Sequence, residues 1–267
     1  MLAIPGNFWR IAEERTMRAR AEVLRRSALA RMPRPEGVRT PPLRYLWGEV
    51  ASLHRRPGRH VPLQAASPQV IMLLPGFGAH PKRMKPLADG LAAAGHTVLD
   101  WGLGFNLGPT EQNFAFLMRR VGALARQHRR PVTLIGWSLG GLFAREIARR
   151  EPDSVARVIT MGTPFSGNPR DNNAWRAYQV ITGHSVDEPP VSCEFRAKPP
   201  VPTTALWSPR DGVVHPRSAA GWPGERDRAV ALRCTHLGFA GAPEVVAAVL
   251  RELNREGRAA DSVTQPE

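Results

Sequence analysis

The stretch Gly136-Trp137-Ser138-Leu139-Gly140-Gly141 decides the fold. A short apolar run, residues 132–135, enters it, and a helical pattern, residues 142–149, leaves it. The spacing is G-x-S-x-G, and its chemistry depends on that context. A serine on a tight strand-to-helix turn has a strained backbone, and glycines two residues either side let neighbouring elements approach closely. The turn pushes the Ser138 hydroxyl out at the carboxyl edge of a sheet. It also sets the first backbone N–H groups of the following helix, Leu139 in particular, beside any negative charge that develops there.

Outward from the elbow, strand and helix patterns alternate. Residues 70–74 form an apolar run closed by Pro75-Gly76, which suits a buried parallel strand. Helices are predicted over 86–94, stopped by Gly95, and from Thr110 to about 128, with Glu111 in the first turn. Further strands are predicted over 96–101, 131–136, 155–161, 203–207 and 228–234, and helices over 139–150 and 243–256. This alternation predicts an α/β fold: a mostly parallel sheet with helices on both faces. Residues 164–202 are too long for an ordinary connection and rich in Pro, Asn and aromatics, and they read as a small cap over the site. The domain reading is a basic N-terminal helix and Pro-rich arm over 1–65, a catalytic domain over 66–257 with a cap insertion at about 165–202, and a flexible tail over 258–267.

Within the arm, residues 8–30 lack Gly and Pro and read as a helix. Met17, Ala21, Leu24 and Ala28 form a narrow apolar stripe on otherwise Arg-rich faces, suited to packing on the protein body or to lying on an anionic membrane surface. Residues 43–63 read in part as edge strands.

The chain has 267 residues, 42% of them hydrophobic and 22% charged, which fits a globular protein. No apolar run approaches the roughly 20 residues of a membrane span. The first residues carry no signal-type apolar region, so a cytoplasmic location is expected. Two cysteines, Cys193 and Cys234, exclude a disulfide scaffold and a four-thiolate zinc site, and free thiols are expected. The net charge of +14 comes from 37 Lys and Arg against 23 Asp and Glu, concentrated in the first 65 residues. No aromatic–basic alternation or zinc-finger spacing accompanies it, so no nucleic acid is expected as a partner.

Serine needs a base, and the base needs an orienting acid. Of eight histidines, His236 follows the last predicted strand and precedes the final helix, a position over the carboxyl edge of the sheet. Asp211, in Pro209-Arg210-Asp211-Gly212, leaves the strand before it and is preferred over Asp100, Asp153, Asp171, Asp187 and Glu188. Gly76 and Gly78 free the backbone around Phe77, so the Phe77 and Leu139 N–H groups form the expected oxyanion hole. Trp137, Phe165 and Trp175, with Trp101 and Phe105, are candidates to line an apolar substrate pocket. Trp137 reads equally as buried packing.

These elements resemble the α/β-hydrolase superfamily over about residues 68–255. The matching motifs are Leu74-Pro75-Gly76-Phe77, Gly136-Trp137-Ser138-Leu139-Gly140-Gly141, Asp211-Gly212-Val213-Val214 and His236-Leu237-Gly238, in the order Ser, Asp, His. The run Met161-Gly162-Thr163-Pro164-Phe165-Ser166-Gly167 resembles the lipase and esterase branch. The resemblance implies hydrolysis of carboxylic esters, including acyl lipids, through a Ser138-His236-Asp211 triad and an acyl-enzyme, with no metal or cofactor. The implied partner is a small-molecule or lipid ester. The same triad also serves acyltransferases and thioesterases, and a non-catalytic binding protein on this fold is the third reading.

Overall fold

The computed structural model describes residues 7–53 and 63–261. Its centre is one parallel sheet of six strands: β1 Val70–Leu74, β2 Thr97–Asp100, β3 Val132–Trp137, β4 Val155–Met161, β5 Thr203–Trp207 and β6 Arg228–Ala231. They lie in the order β2-β1-β3-β4-β5-β6. The helices are α1 Asn7–Ala30, α2 Arg44–Leu53, α3 Lys85–Ala93, α4 Glu111–His128, α5 Leu139–Arg150, α6 Trp175–Thr182, α7 Pro216–Ala220 and α8 Pro243–Asp261.

Strand alternation divides the core into two layers. Ile71, Leu73, Ile135, Trp137, Ile159 and Met161 point to the face covered by Leu87 and Leu91 of α3 and Val245, Val249 and Leu253 of α8. Val70, Met72, Leu74, Val132, Leu134 and Val158 point to the face covered by Phe114, Leu117 and Val121 of α4 and Phe143 and Ile147 of α5. β1 and β3 are buried on both faces, as central parallel strands must be. Thr110 caps α4 in a reciprocal box with Asn113, which fixes where that helix starts.

Two expectations for the N-terminal arm are corrected. Within the segment 43–63 read in part as edge strands, Arg44–Leu53 form α2, and residues 54–62 lie outside the described residues. The inward residues of α2, Tyr45, Glu49 and Ser52, recur at four and three positions, the period of a helix. In α1 the apolar stripe does not pack on the protein body: Met17 and Leu24 are exposed. The face of α1 that docks is polar and meets α6. Arg25 donates to Gly183 O at 2.5 Å, Arg26 to Ile181 O at 2.7 Å, and Gln179 of α6 to Leu29 O at 2.8 Å. The arginines thus satisfy carbonyls at the C-terminal end of α6, where cations are favoured. His54 and His60 lie outside the described residues. Among the described residues no helix is long and apolar enough to cross a membrane.

α6 lies in the insertion between β4 and β5 read as a cap. From below, Arg145 of α5 holds the returning chain of that insertion. This buried side chain donates to Phe195 O at 2.9 Å, to Ala197 O at 3.1 Å and to Glu225 O at 2.9 Å, and it sits 4.1 Å over the Phe165 ring.

Candidate active site

The elbow is closed by three glycines. A Cβ on Gly136 would come within 2.4 Å of the Gly140 and Gly141 backbone, one on Gly140 within 2.2 Å of Leu74 O, and one on Gly141 within 2.0 Å of Thr163 Oγ1. Ser138 between them has φ 53°, ψ −123°, a left-handed-side conformation that a side-chain-bearing residue rarely adopts. The backbone of Ser138 is pinned from below by its N–H donating to Met161 O at 2.8 Å. The Gly140→Ala variant is expected to lose about 3 kcal/mol, the upper end of overpacking costs. That lowers the melting temperature by roughly 6–12 °C for a domain of this size. Gly122→Ala on α4, where the nearest atom to a new Cβ is 3.4 Å away, serves as the control and is expected to melt like the wild type. Scanning calorimetry of the two variants measures the difference.

Asp211 and His236 come together. Asp211 Oδ2 lies 2.8 Å from His236 Nδ1, with both side chains almost wholly buried. Asp211 Oδ1 accepts from the Val213 and Val214 N–H groups at 2.8 and 2.7 Å. Those two bonds fix the carboxylate plane, so Oδ2 is the oxygen left to accept the Nδ1–H, and Nε2 is then the unprotonated nitrogen. Burial by itself lowers the imidazole's pKa. The charge of Asp211, its hydrogen bond and the charge of Glu49 outweigh that and hold His236 above its ordinary 6.5. The His236 backbone is tied to the elbow: Trp137 Nε1, next to Ser138 in the chain, donates to His236 O at 3.0 Å. Gly162, with φ 55°, lies close beneath the acid, since a Cβ there would come 3.1 Å from Asp211 Oδ2.

Competing groups have other tasks. His80 Nδ1 accepts from Lys82 N, His96 Nδ1 from Gln69 N and His215 Nδ1 from Arg217 N. Asp187 pairs with Arg170, Asp171 accepts from Arg39 N, and Asp100 accepts from Gly102 N at the sheet edge. Both cysteines are free, as expected. Burial, with Glu146 nearby, pushes the Cys193 thiol up to about 12, which removes it as a rival nucleophile.

Phe77 follows the Pro75-Gly76 turn after β1. Among the described residues, neither its N–H nor that of Leu139 donates to another protein group. The loop is held by Asn106, fully buried, whose Nδ2 donates to Pro75 O at 2.7 Å and whose carbonyl O accepts from Gly78 N at 2.7 Å. Sequence reasoning missed Asn106, because its partners lie about thirty residues upstream and no local motif marks it.

Ser138 and Leu139 open onto a cavity of about 550 Å³, lined mainly by apolar side chains that include Phe77, Leu142, Phe165, Trp175, Tyr178 and Val214. Phe165 and Trp175 therefore stand where a pocket was expected. Trp137 does not: alternation along β3 sends it to the opposite layer, where it is 4% exposed among α3 and α8 residues. Trp101 is likewise core, stacked edge-on to Phe143, and Phe105 is exposed beside His80. No cluster of three or more His, Cys, Asp or Glu among the described residues is placed to hold a metal ion.

A family model of the alpha/beta hydrolase fold matches residues 69–185. Over 92 residues the chain is 32% identical to the biotin biosynthesis bifunctional protein BioHC of Cellvibrio japonicus, covering 34% of this chain and 18% of that protein. Over 39 residues it is 51% identical to the pimeloyl-[acyl-carrier protein] methyl ester esterase of Aromatoleum aromaticum, covering 15% of this chain and 16% of that one. The matched stretches thus span less than a fifth of either relative. Among solved structures, a soluble variant of monoglyceride lipase from Saccharomyces cerevisiae superposes with a TM-score of 0.53 at 14% identity, covering 77% of this chain and 90% of that one. Bacillus licheniformis lipase BlEst2 gives 0.53 at 14%, covering 75% and 96%. At that identity the likeness speaks for the fold. With its six-stranded parallel sheet and the family match around the elbow, the chain has the α/β-hydrolase fold.

Proposed function

We propose that this chain is a serine hydrolase that cleaves carboxylic esters of small molecules bearing an apolar acyl group. The observation that carries the reading is the strained Ser138 at the mouth of an apolar cavity, with a buried Asp211–His236 pair bonded to its chain neighbour. The esterase named among the relatives supports the same chemistry.

In the proposed cycle Ser138 Oγ attacks the acyl carbon while His236 Nε2 takes the hydroxyl proton. Asp211 fixes the imidazole and offsets its positive charge. The Phe77 and Leu139 N–H groups hold the tetrahedral oxyanion. Losing one such donor costs about 3–4 kcal/mol of transition-state stabilisation in other enzymes. His236 then returns the proton to the leaving alkoxide, the alcohol departs, and an acyl-enzyme remains on Ser138. Water, giving a proton to the same nitrogen, attacks that ester, and the carboxylic acid leaves with Ser138 restored.

The test is treatment with a fluorophosphonate followed by peptide mass spectrometry. A single adduct on Ser138 is expected, together with hydrolysis of p-nitrophenyl esters that improves from acetyl to medium-chain acyl groups as the cavity fills. A folded protein that remains unmodified and inactive on the whole ester series overturns the reading.

A further inference from the structure

One buried carboxylate takes no part in that cycle. Glu49, on α2, is 4% exposed. Its Oε1 accepts from Gly212 N at 2.9 Å and from His236 N at 2.7 Å, and its Oε2 accepts from Leu237 N at 2.8 Å. Gly212 follows the acid in the chain, and Leu237 follows the base. A single side chain from the N-terminal arm therefore joins the loop after β5 to the loop after β6. The seat is close: a Cβ on Gly212 would lie 2.8 Å from the Tyr45 carbonyl carbon and oxygen and 3.1 Å from Glu49 Cγ. The other side of the acid loop is held by Asn173, whose Nδ2 donates to Gly212 O at 2.8 Å and to Pro41 O at 3.1 Å.

Burying a carboxylate is costly, and here three backbone N–H groups offset that cost. If α2 needed only an anchor, an apolar residue would supply one more cheaply. A carboxylate does two things a leucine cannot. It accepts N–H bonds from both loops at once, and it brings a negative charge to the imidazole that must become positive during the reaction. The charged groups acting on His236 among the described residues are Asp211, from the loop after β5, and Glu49, from α2. The rings beside it, Trp137 and Phe239, carry no charge.

We infer that Glu49 is a positioning residue for the ester hydrolysis proposed above, locking the acid and base loops in register and adding a second negative charge beneath the imidazolium. The inference rests on that reading of the site. It also assigns a task to the N-terminal arm: α2 completes the site.

The experiment compares the wild type with Glu49→Gln and Glu49→Asp on a p-nitrophenyl ester across pH, with circular dichroism to confirm folding. Glu49→Gln keeps the shape, removes the charge and turns an amide NH2 toward a backbone donor. Its kcat is expected to fall about 10- to 100-fold, as for small misplacements of reacting groups, with KM within about twofold. The acid limb of its kcat/KM profile is expected to move to lower pH, because an imidazolium with one fewer negative neighbour gives up its proton more readily. Glu49→Asp keeps the charge on a side chain one methylene too short to span both loops. Its kcat is expected to fall while the acid limb stays in place. A merely structural role moves neither limb. Folded Glu49→Gln with wild-type kcat and an unmoved limb overturns the inference. If Glu49→Gln does not fold, wild-type kcat in Glu49→Asp does the same. Failure of the wild type to hydrolyse esters or take the fluorophosphonate overturns the underlying reading instead, whatever the variants do.

Discussion

Replacing Ser138 with alanine is expected to lower kcat on an activated ester by on the order of 10⁴- to 10⁶-fold and to abolish the fluorophosphonate adduct. The size follows from what the hydroxyl does: without it no acyl-enzyme forms, and only the oxyanion donors and the cavity remain to assist direct attack by water. Stability is expected to stay within about 0.5 kcal/mol of the wild type. The positive φ strains serine and alanine alike, and no described residue hydrogen-bonds to the Ser138 side chain. Stopped assays with enzyme in excess, alongside a thermal melt, measure both quantities. Retained turnover in a correctly folded Ser138→Ala protein places the reaction elsewhere.

The second large effect is expected from Asp211→Asn, on the order of 10⁴-fold in kcat. The amide must keep its oxygen toward the two N–H groups of Val213 and Val214, because its NH2 would oppose them. The NH2 then faces His236 Nδ1 and donates to it. That moves the imidazole proton to Nε2, so the nitrogen needed as base is occupied. The variant preserves size, packing and the loop hydrogen bonds, so the melting temperature is expected to change little while activity collapses. The pH profile carries a second sign. In the wild type the Asp211 charge helps hold His236 above its ordinary value, so the acid limb of kcat/KM is expected above the range of a free imidazole. Removing that charge lowers the imidazole pKa, and the residual activity of the variant is expected to persist to lower pH. A residual limb that moves upward, or a loss under tenfold, contradicts the proposed task of Asp211.

Much of this was legible before any coordinates. The elbow carries its own signature, since no other residue fits where Gly136, Gly140 and Gly141 sit. β4 and β5 begin and end where their strands are predicted from the sequence. Asp211 and His236 were legible from their place after successive strands, which a parallel sheet delivers to one edge. What escaped was non-local. Glu49 lies 187 residues from His236, and nothing around it distinguishes a buried carboxylate from a solvated one. α2 is short and carries Gly48, which weakened its helical pattern, and α6 is hidden in a stretch of loop-like composition. Trp137 was placed by adjacency to the nucleophile, whereas strand alternation turns neighbours to opposite layers.

The order of the strands has one more consequence. Ser138, the proposed nucleophile, rises from β3, flanked on both sides, but His236, the proposed base, follows β6, an edge strand mostly open to water. Local opening begins at such margins, well below the free energy of global unfolding. With those roles, heat is expected to silence the proposed activity at this border while the interior is still intact, and the working lifetime to follow how firmly the last strand stays zipped.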